Sequence, residues 1–257
     1  MCHPEAPIRC VNAPAASRVQ IPLPGERMPA WLAAPRGDHD RRVLLIHDVF
    51  GPSAFYQEMA VRLASAGFLT LMPDLFFREG SLCGASLPEA YERLLSADDH
   101  LLIRDAHAAT DWLMHVEGPV NRIGTVGFCW GGTQVLVMAA ERQDVATVCY
   151  YGMPADPRYL SDPKSARPID LIDSITGPVL GFWGDQDARA GMDNVDGFLE
   201  EARVKGIDVE GHIYPGVGHG FMSKFGEVNG LSSKAIKHAW ERTIEFLGKQ
   251  LREDGNG

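Results

Sequence analysis

Residues 122–132 read Arg-Ile-Gly-Thr-Val-Gly-Phe-Cys-Trp-Gly-Gly, and the fold follows from this stretch. Arg122–Phe128 predicts a buried strand, and Gly131 to Ala140 continues with a helical pattern. Between them stands Cys129, with a glycine two residues before it and another two residues after. A sharp strand-to-helix turn forces its central residue into a strained backbone, and small neighbours at those positions remove the clashes. The helix start then faces the thiol, where its peptide dipoles favour a thiolate and, later, an oxyanion. The competing reading is a glycine-rich turn that buries an inert cysteine.

Outward from that turn, apolar runs alternate with helical patterns, the rhythm of a mostly parallel α/β sheet. Arg42–His47 is a continuous apolar run, as expected of a strand buried on both faces. Phe55, Met59 and Leu63 recur at helical spacing until Gly67, and Phe68–Met72 is the next strand, stopped by Pro73-Asp74. Pro88 to about Val116 reads as helix broken near Ala97–Asp99. Val145–Tyr151, Pro178–Trp183 and Val209–Tyr214 are further strands. Gly152–Gly177, with four prolines, reads as a surface connection or a wall of the site. Ser232–Leu251 closes the chain as a helix with Ile236, Trp240, Ile244 and Leu247 on one face. Arg18–Ala34 suits an antiparallel ribbon. Residues 1–257 form a single domain on this reading, with 1–17 an N-terminal extension and 252–257 a disordered tail.

A nucleophilic thiol needs a base, and the base needs an orienting acid. The strand Pro178–Trp183 runs into Gly184-Asp185-Gln186-Asp187, and Val209–Tyr214 runs into Pro215-Gly216-Val217-Gly218-His219-Gly220-Phe221. Of nine histidines, His219 is the one on a glycine-flanked loop after a C-terminal strand, whereas His212 lies within that strand. Asp185 and Asp187 compete for the acid role. Asp187, further out on the loop, is preferred, and Asp185 suits ordinary turn chemistry.

Composition narrows the classes. The formal net charge of −10 argues against a nucleic-acid partner, because phosphate binding rests on clustered Lys and Arg. No run approaches the roughly 20 apolar residues of a membrane helix. Met1–Ala16 lacks the basic-then-apolar pattern of a signal peptide. Five scattered cysteines without a Cys-x-x-Cys pair suggest neither a disulfide framework nor a zinc module, so a cytoplasmic enzyme without metal or cofactor is expected. The sequence carries no signal of oligomeric state.

Gly127-Phe128-Cys129-Trp130-Gly131-Gly132, with the aspartate and histidine loops in chain order, resembles the dienelactone hydrolase (carboxymethylenebutenolidase) family. That family carries Gly-x-Cys-x-Gly-Gly in place of the usual serine elbow. The resemblance runs from about Arg41 to the closing helix. It implies an α/β-hydrolase fold with helices on both faces of the sheet, and a catalytic Cys129, His219 and Asp187. His47-Asp48-Val49-Phe50-Gly51 is similar to the family's Gln-Glu-Ile-Phe-Gly. By that likeness Asp48 is the acid that modulates the thiol, and the Val49 and Trp130 N–H groups form the oxyanion hole. Phe50, Tyr91, Tyr151, Phe221 and Lys224 then line the pocket, although Tyr91 and Tyr151 equally suit core packing. Three positions depart from the family. Asp48 is one methylene shorter than its glutamate, Leu87 stands where an arginine precedes the pocket tyrosine, and the arginine after the histidine is missing, with Ser223 and Lys224 nearby instead. The implied activity is hydrolysis of a small-molecule ester or lactone through a cysteine acyl-enzyme. An acyltransferase or lyase using the same groups, or a ligand-binding protein on an inert hydrolase fold, are the rival readings.

Overall fold

A computed structural model describes residues 16–37, 39–80, 82, 86–156, 165–225 and 231–252. The expected N-terminal extension and tail therefore lie almost wholly outside the described residues. Strands β1 (Ala16–Leu23), β2 (Glu26–Ala33), β3 (Arg42–Ile46), β4 (Leu69–Pro73), β5 (Ile123–Phe128), β6 (Val145–Tyr150), β7 (Val179–Gly184) and β8 (Val209–Tyr214) build one sheet, in the order β1-β2-β4-β3-β5-β6-β7-β8. The first two strands are the expected antiparallel ribbon, with Leu23 opposite Glu26, and β2 joins β4 antiparallel. Every later pairing is parallel. Strands β3 to β7 are buried at every position, which is why they read as continuous apolar runs.

The helices are α1 (Ala54–Ser65), α2 (Leu87–Ser96), α3 (Asp99–His115), α4 (Trp130–Glu141), α5 (Met192–Lys205) and α6 (Leu231–Gln250). The break at Ala97–Asp99 has a local cause. The Asp98 carboxylate accepts from the His100 and Leu101 N–H groups at 2.9 and 3.3 Å, capping α3, so a new helix starts there. The chain steps from β3 outward to β4, then back across β3 to β5, β6, β7 and β8. Right-handed crossovers consequently put α1 on one face of the sheet and α3 to α5 on the other. Helix α6 shares the face of α1, since the Arg62 guanidinium of α1 lies 4.6 Å from the Phe225 ring centre and Phe225 packs edge-on against Trp240 of α6. This is the helix-flanked, mostly parallel sheet of the α/β-hydrolase fold.

Two differences from the sequence reading are instructive. The stretch 152–177 contains a 3-10 helix at Pro168–Ser174, which proline starts and which is too short to show periodicity. On α6 the buried side is Ala235, Ile236, Ala239, Thr243, Phe246 and Leu247, while Trp240 and Ile244 are only partly covered. A strict spacing of four drifts off a 3.6-residue turn, and small residues carry the close contact instead. Among the described residues no helix is long and apolar enough to cross a membrane.

The centre of the sheet is tied to α6 by Tyr150. Its ring stacks on Phe128 at 4.6 Å and 6°. Its hydroxyl donates to the Ala239 carbonyl at 3.2 Å and accepts from Thr243 Oγ1 at 2.6 Å. Tyr150→Phe keeps the stacking but removes the extra donor to the Ala239 carbonyl and the acceptor of the buried Thr243 hydroxyl. It is expected to lower the unfolding free energy by about 1–3 kcal/mol, read as a lower urea midpoint at unchanged slope.

Candidate active site

Cys129 lies between β5 and α4 with φ 55° and ψ −119°, outside the regions a side-chain-bearing residue normally adopts. Its own N–H donates to the Tyr150 carbonyl at 3.0 Å, and its carbonyl accepts from the Thr133 N–H at 3.1 Å. Packing of backbone on backbone enforces the turn. A Cβ on Gly127 would overlap the Gly131 carbonyl, and one on Gly131 would overlap the His47 carbonyl. One on Gly132 would stand 2.8 Å from the Tyr150 carbonyl oxygen. The thiol residue is fully buried. So is Cys149 on β6, but there burial pushes the thiol up to about 12, so it stays protonated at neutral pH.

Parallel neighbours end on the same edge of the sheet, where ligands of such sheets bind. Ile46 is opposite Gly127, Phe128 opposite Tyr150, and Gly184 opposite Tyr214. The segments that leave this edge therefore bring together His47–Gly51, Cys129–Trp130, Tyr151, Asp185–Asp187 and the loop to His219. His219 Nδ1 is hydrogen-bonded to Asp187 Oδ2 at 2.8 Å, and the Asp187 side chain is completely enclosed. The other Asp187 oxygen accepts from the Arg189 and Ala190 N–H groups at 3.0 and 3.1 Å. Three donors thus hold one carboxylate in a single orientation. Asp185 does different work. Its Oδ1 accepts from the Gly216 N–H at 2.7 Å, tying the two loops together as a turn residue.

Tyr151 is the second non-glycine residue with positive φ, at 41°. Its ring lies edge-on to His219 at 5.1 Å and to Phe221 at 5.3 Å. Phe221 begins a 3-10 helix, Phe221–Lys224. Tyr151, Phe221 and His219 thus form one aromatic wall. Lys224 is exposed at the end of that helix, and Tyr91 is partly buried on α2. Arg78, a possible cation for the pocket, is held by Glu26 and by Asp105. Arg158, another cation that the sequence offers for the pocket, lies outside the described residues.

On the other side of the elbow, Asp48 is fully buried and its Oδ1 accepts from the Phe50 N–H at 2.9 Å. Trp130, as the first residue of α4, has an N–H with no carbonyl available one turn earlier in its own helix. Val49 is buried in the turn beside it. Sequence reading passed over two residues here. His47 is buried and bonded to the Asp48 carbonyl, and Arg93 of α2 donates to the Val49 carbonyl. Burial pushes the His47 imidazole down to about 4, so it is neutral at physiological pH. Among the described residues no cluster of three or more His, Cys, Asp or Glu could hold a metal ion.

The model of the dienelactone hydrolase family matches residues 28–251. A carboxymethylenebutenolidase of Rhodococcus opacus is 31% identical over 81% of this chain and 81% of its own length. A protein of Salmonella typhimurium, provisionally named carboxymethylenebutenolidase, is 28% identical over 93% of this chain and 88% of its own. The crystal structure of a provisionally named dienelactone hydrolase from Klebsiella pneumoniae is similar with a TM-score of 0.82. It is 26% identical and covers 93% of this chain and 100% of that one.

The elbow geometry is open to direct test. Gly131→Ala puts a methyl group into the Ile46 and His47 carbonyls, backbone atoms that cannot swing aside as a flexible side chain would. A loss of about 3 kcal/mol or more is expected, seen as a lower unfolding midpoint, whereas Gly197→Ala on α5, with no atom within 4 Å of the new carbon, is expected to be neutral or stabilising.

Proposed function

The chain belongs to the dienelactone hydrolase family, and on that footing we propose that it cleaves an ester or lactone bond through an acyl-enzyme on Cys129. The observation that carries the reading is the 2.8 Å hydrogen bond between His219 and the enclosed Asp187, on the same sheet edge as a thiol residue with φ 55°. Asp187 accepts from Nδ1–H and thereby leaves Nε2 of the neutral ring as the basic nitrogen. His219 Nε2 takes the thiol proton, and the thiolate sulfur attacks the substrate carbonyl carbon. The C=O π pair moves to oxygen, and the Val49 and Trp130 N–H groups receive that charge.

Collapse of the tetrahedral intermediate breaks the bond from carbon to the leaving oxygen, which takes its proton from His219. Water then attacks the thioester, with His219 again accepting a proton. The second collapse returns that proton to the Cys129 sulfur and frees the acid. Asp187 offsets the imidazolium charge in each half-reaction. Phe50, Tyr91, Tyr151 and Phe221 give the pocket an aromatic lining, with Lys224 at its rim. Asp48 places a negative charge on the elbow side and disfavours a second one on the resting thiol. The reaction needs no cofactor.

An alcohol or thiol that competes with water for the acyl group distinguishes acyl transfer from hydrolysis. With a neutral aryl ester as substrate, Cys129→Ala is expected to lower kcat by more than about 100-fold. Asp187→Asn is expected to cost about 10³-fold or more, because a neutral amide cannot offset the imidazolium. Asp185→Asn keeps an oxygen for the Gly216 N–H and should stay near wild type. Retained hydrolysis in Cys129→Ala, or equal losses at the two aspartates, contradicts the assignment.

Among the described residues Arg78 is committed to carboxylates elsewhere, and Leu87 is apolar, so neither position offers a substrate carboxylate a guanidinium fork of the kind the family uses. A bidentate contact of that kind contributes roughly 1.5–3 kcal/mol. The kcat/KM values of a free-acid lactone and its methyl ester are therefore expected to agree within about tenfold. A larger advantage for the acid means that another cation reaches the pocket.

A further inference from the structure

The turn that carries Val49 is held from outside by two buried side chains that the mechanism above does not use. His47 Nε2 accepts from the Leu75 N–H at 3.2 Å. A ring nitrogen that accepts carries no proton, so Nδ1 is the protonated one. It donates to the Asp48 carbonyl at 2.8 Å, and the Gly51 N–H donates to the same oxygen at 3.1 Å. In a planar trans peptide the N–H points away from the C=O. Anchoring the Asp48 oxygen therefore aims the Val49 N–H. Arg93 holds the next peptide. Its Nη2 donates to the Val49 carbonyl at 2.6 Å, and the N–H of that peptide, on Phe50, donates to Asp48 Oδ1 at 2.9 Å. With the peptide planes on both sides of Val49 pinned, its φ and ψ have little freedom left.

Arg93 is a costly residue for holding a carbonyl. Its side chain belongs to a residue only 8% exposed. Its other terminal nitrogen donates to the Gly80 carbonyl at 2.8 Å, and the guanidinium sits 4.2 Å over the Phe76 ring. Among the described residues no carboxylate forms an ion pair with it. The charges of Asp74, Glu79 and Asp48 favour its own, but none is in ion-pair contact and burial still pulls the guanidinium below its ordinary value, so an apolar side chain of similar length would fill the space at lower cost. An aligned donor on a peptide oxygen, neutral or charged, also polarises the peptide and strengthens donation from its N–H, a charged one the more so. His47 does this for the peptide that carries the Val49 N–H, and Arg93 for the one whose N–H holds Asp48.

We infer that His47 and Arg93 are positioning residues that aim the Val49 N–H and set its donor strength in the oxyanion hole. Both act on turnover through the Asp48–Phe50 turn without touching substrate. The inference rests on the role proposed for Val49 and Cys129. Its test compares two reactions of one thiol. Acylation by an ester builds an oxyanion, whereas alkylation by iodoacetamide displaces iodide at a saturated carbon and builds none.

His47→Leu and Arg93→Met are expected to lower kcat for a neutral aryl ester by about 10- to 100-fold, with KM and the alkylation rate of Cys129 within about threefold. His47→Gln, able to accept and donate at once, is expected to recover kcat to within about threefold. Arg93→Lys, with a single point of contact, should fall between. Wild-type kcat in both apolar variants overturns the inference. So does a parallel fall in kcat and alkylation, which marks damage to the thiol or the fold. If the apolar variants do not fold, wild-type kcat in Arg93→Lys together with a large loss in His47→Gln overturns it. Cys129→Ala, assayed alongside, isolates the underlying reading. Hydrolysis that survives there removes the thioester mechanism itself, whatever the turn variants do.

Discussion

The close approach of α4 to the ends of β3 and β5 governs everything else at this edge. Gly127, Gly131 and Gly132 leave no room for a side chain between the helix start and three strand ends. The chain can pass through that gap only with Cys129 at φ 55°. Such a backbone persists where surrounding structure over-determines it, and here the surroundings are carbonyls of the sheet itself. The same contact sets Trp130 at the head of its helix beside the His47–Gly51 turn. Position of the thiol residue, the free start of α4 and its closeness to the His47–Gly51 turn follow from one steric constraint.

Environment then separates residues of identical chemistry. Cys149 and Cys129 are both buried, but Cys149 lies within a strand of the core, where desolvation holds its proton. Cys129 stands instead at a helix start, beside N–H groups that have no carbonyl one turn earlier in their own helix. His47 and His219 divide in the same way. Burial without an acidic partner keeps His47 neutral and fixes its tautomer through the Leu75 N–H. His219 has a carboxylate on Nδ1. On the proposed mechanism its ring gains and loses a proton and needs that partner, whereas a ring that only donates to one carbonyl is better without it.

Legibility in the sequence followed the range of the interactions. Strands buried on both faces read clearly, and β8 was recognised to the residue because Pro215-Gly216 ends it abruptly. The loops with Asp187 and His219 were visible because glycines and strand ends mark them. The preference for Asp187 over Asp185 rested on loop position, and the hydrogen bond from His219 goes to Asp187. His47 and Arg93 gave no such sign. His47 looked like the last residue of an apolar run, and its acceptor role depends on a backbone N–H 28 residues away. Arg93 falls within the helical stretch from Pro88 with nothing local to mark it, and its carbonyl partner is 44 residues away. Nothing local distinguishes a guanidinium in water from one folded under a turn. The 3-10 helix at Pro168–Ser174 escaped for the opposite reason, being too short to carry a period.

Asp48 shows how one methylene redistributes a charge. An aspartate can accept from the N–H two residues ahead and close a turn on itself, as its Oδ1 does with Phe50. A glutamate at the same place would overshoot that N–H and extend its carboxylate beyond the turn. The shorter side chain therefore keeps negative charge close to the backbone that presents Val49. It is compensated by the Phe50 N–H directly and by Arg93, whose charge lies near enough to be felt. The carboxylate, the two peptides and the guanidinium behave as one unit in which each dipole supports the next. On the proposed mechanism that unit has two duties. It tempers the resting thiol through the Asp48 charge, and it keeps a donor aimed at the place where oxygen becomes negative. Held at both carbonyls, the turn can serve the second duty without being drawn out of line by the first.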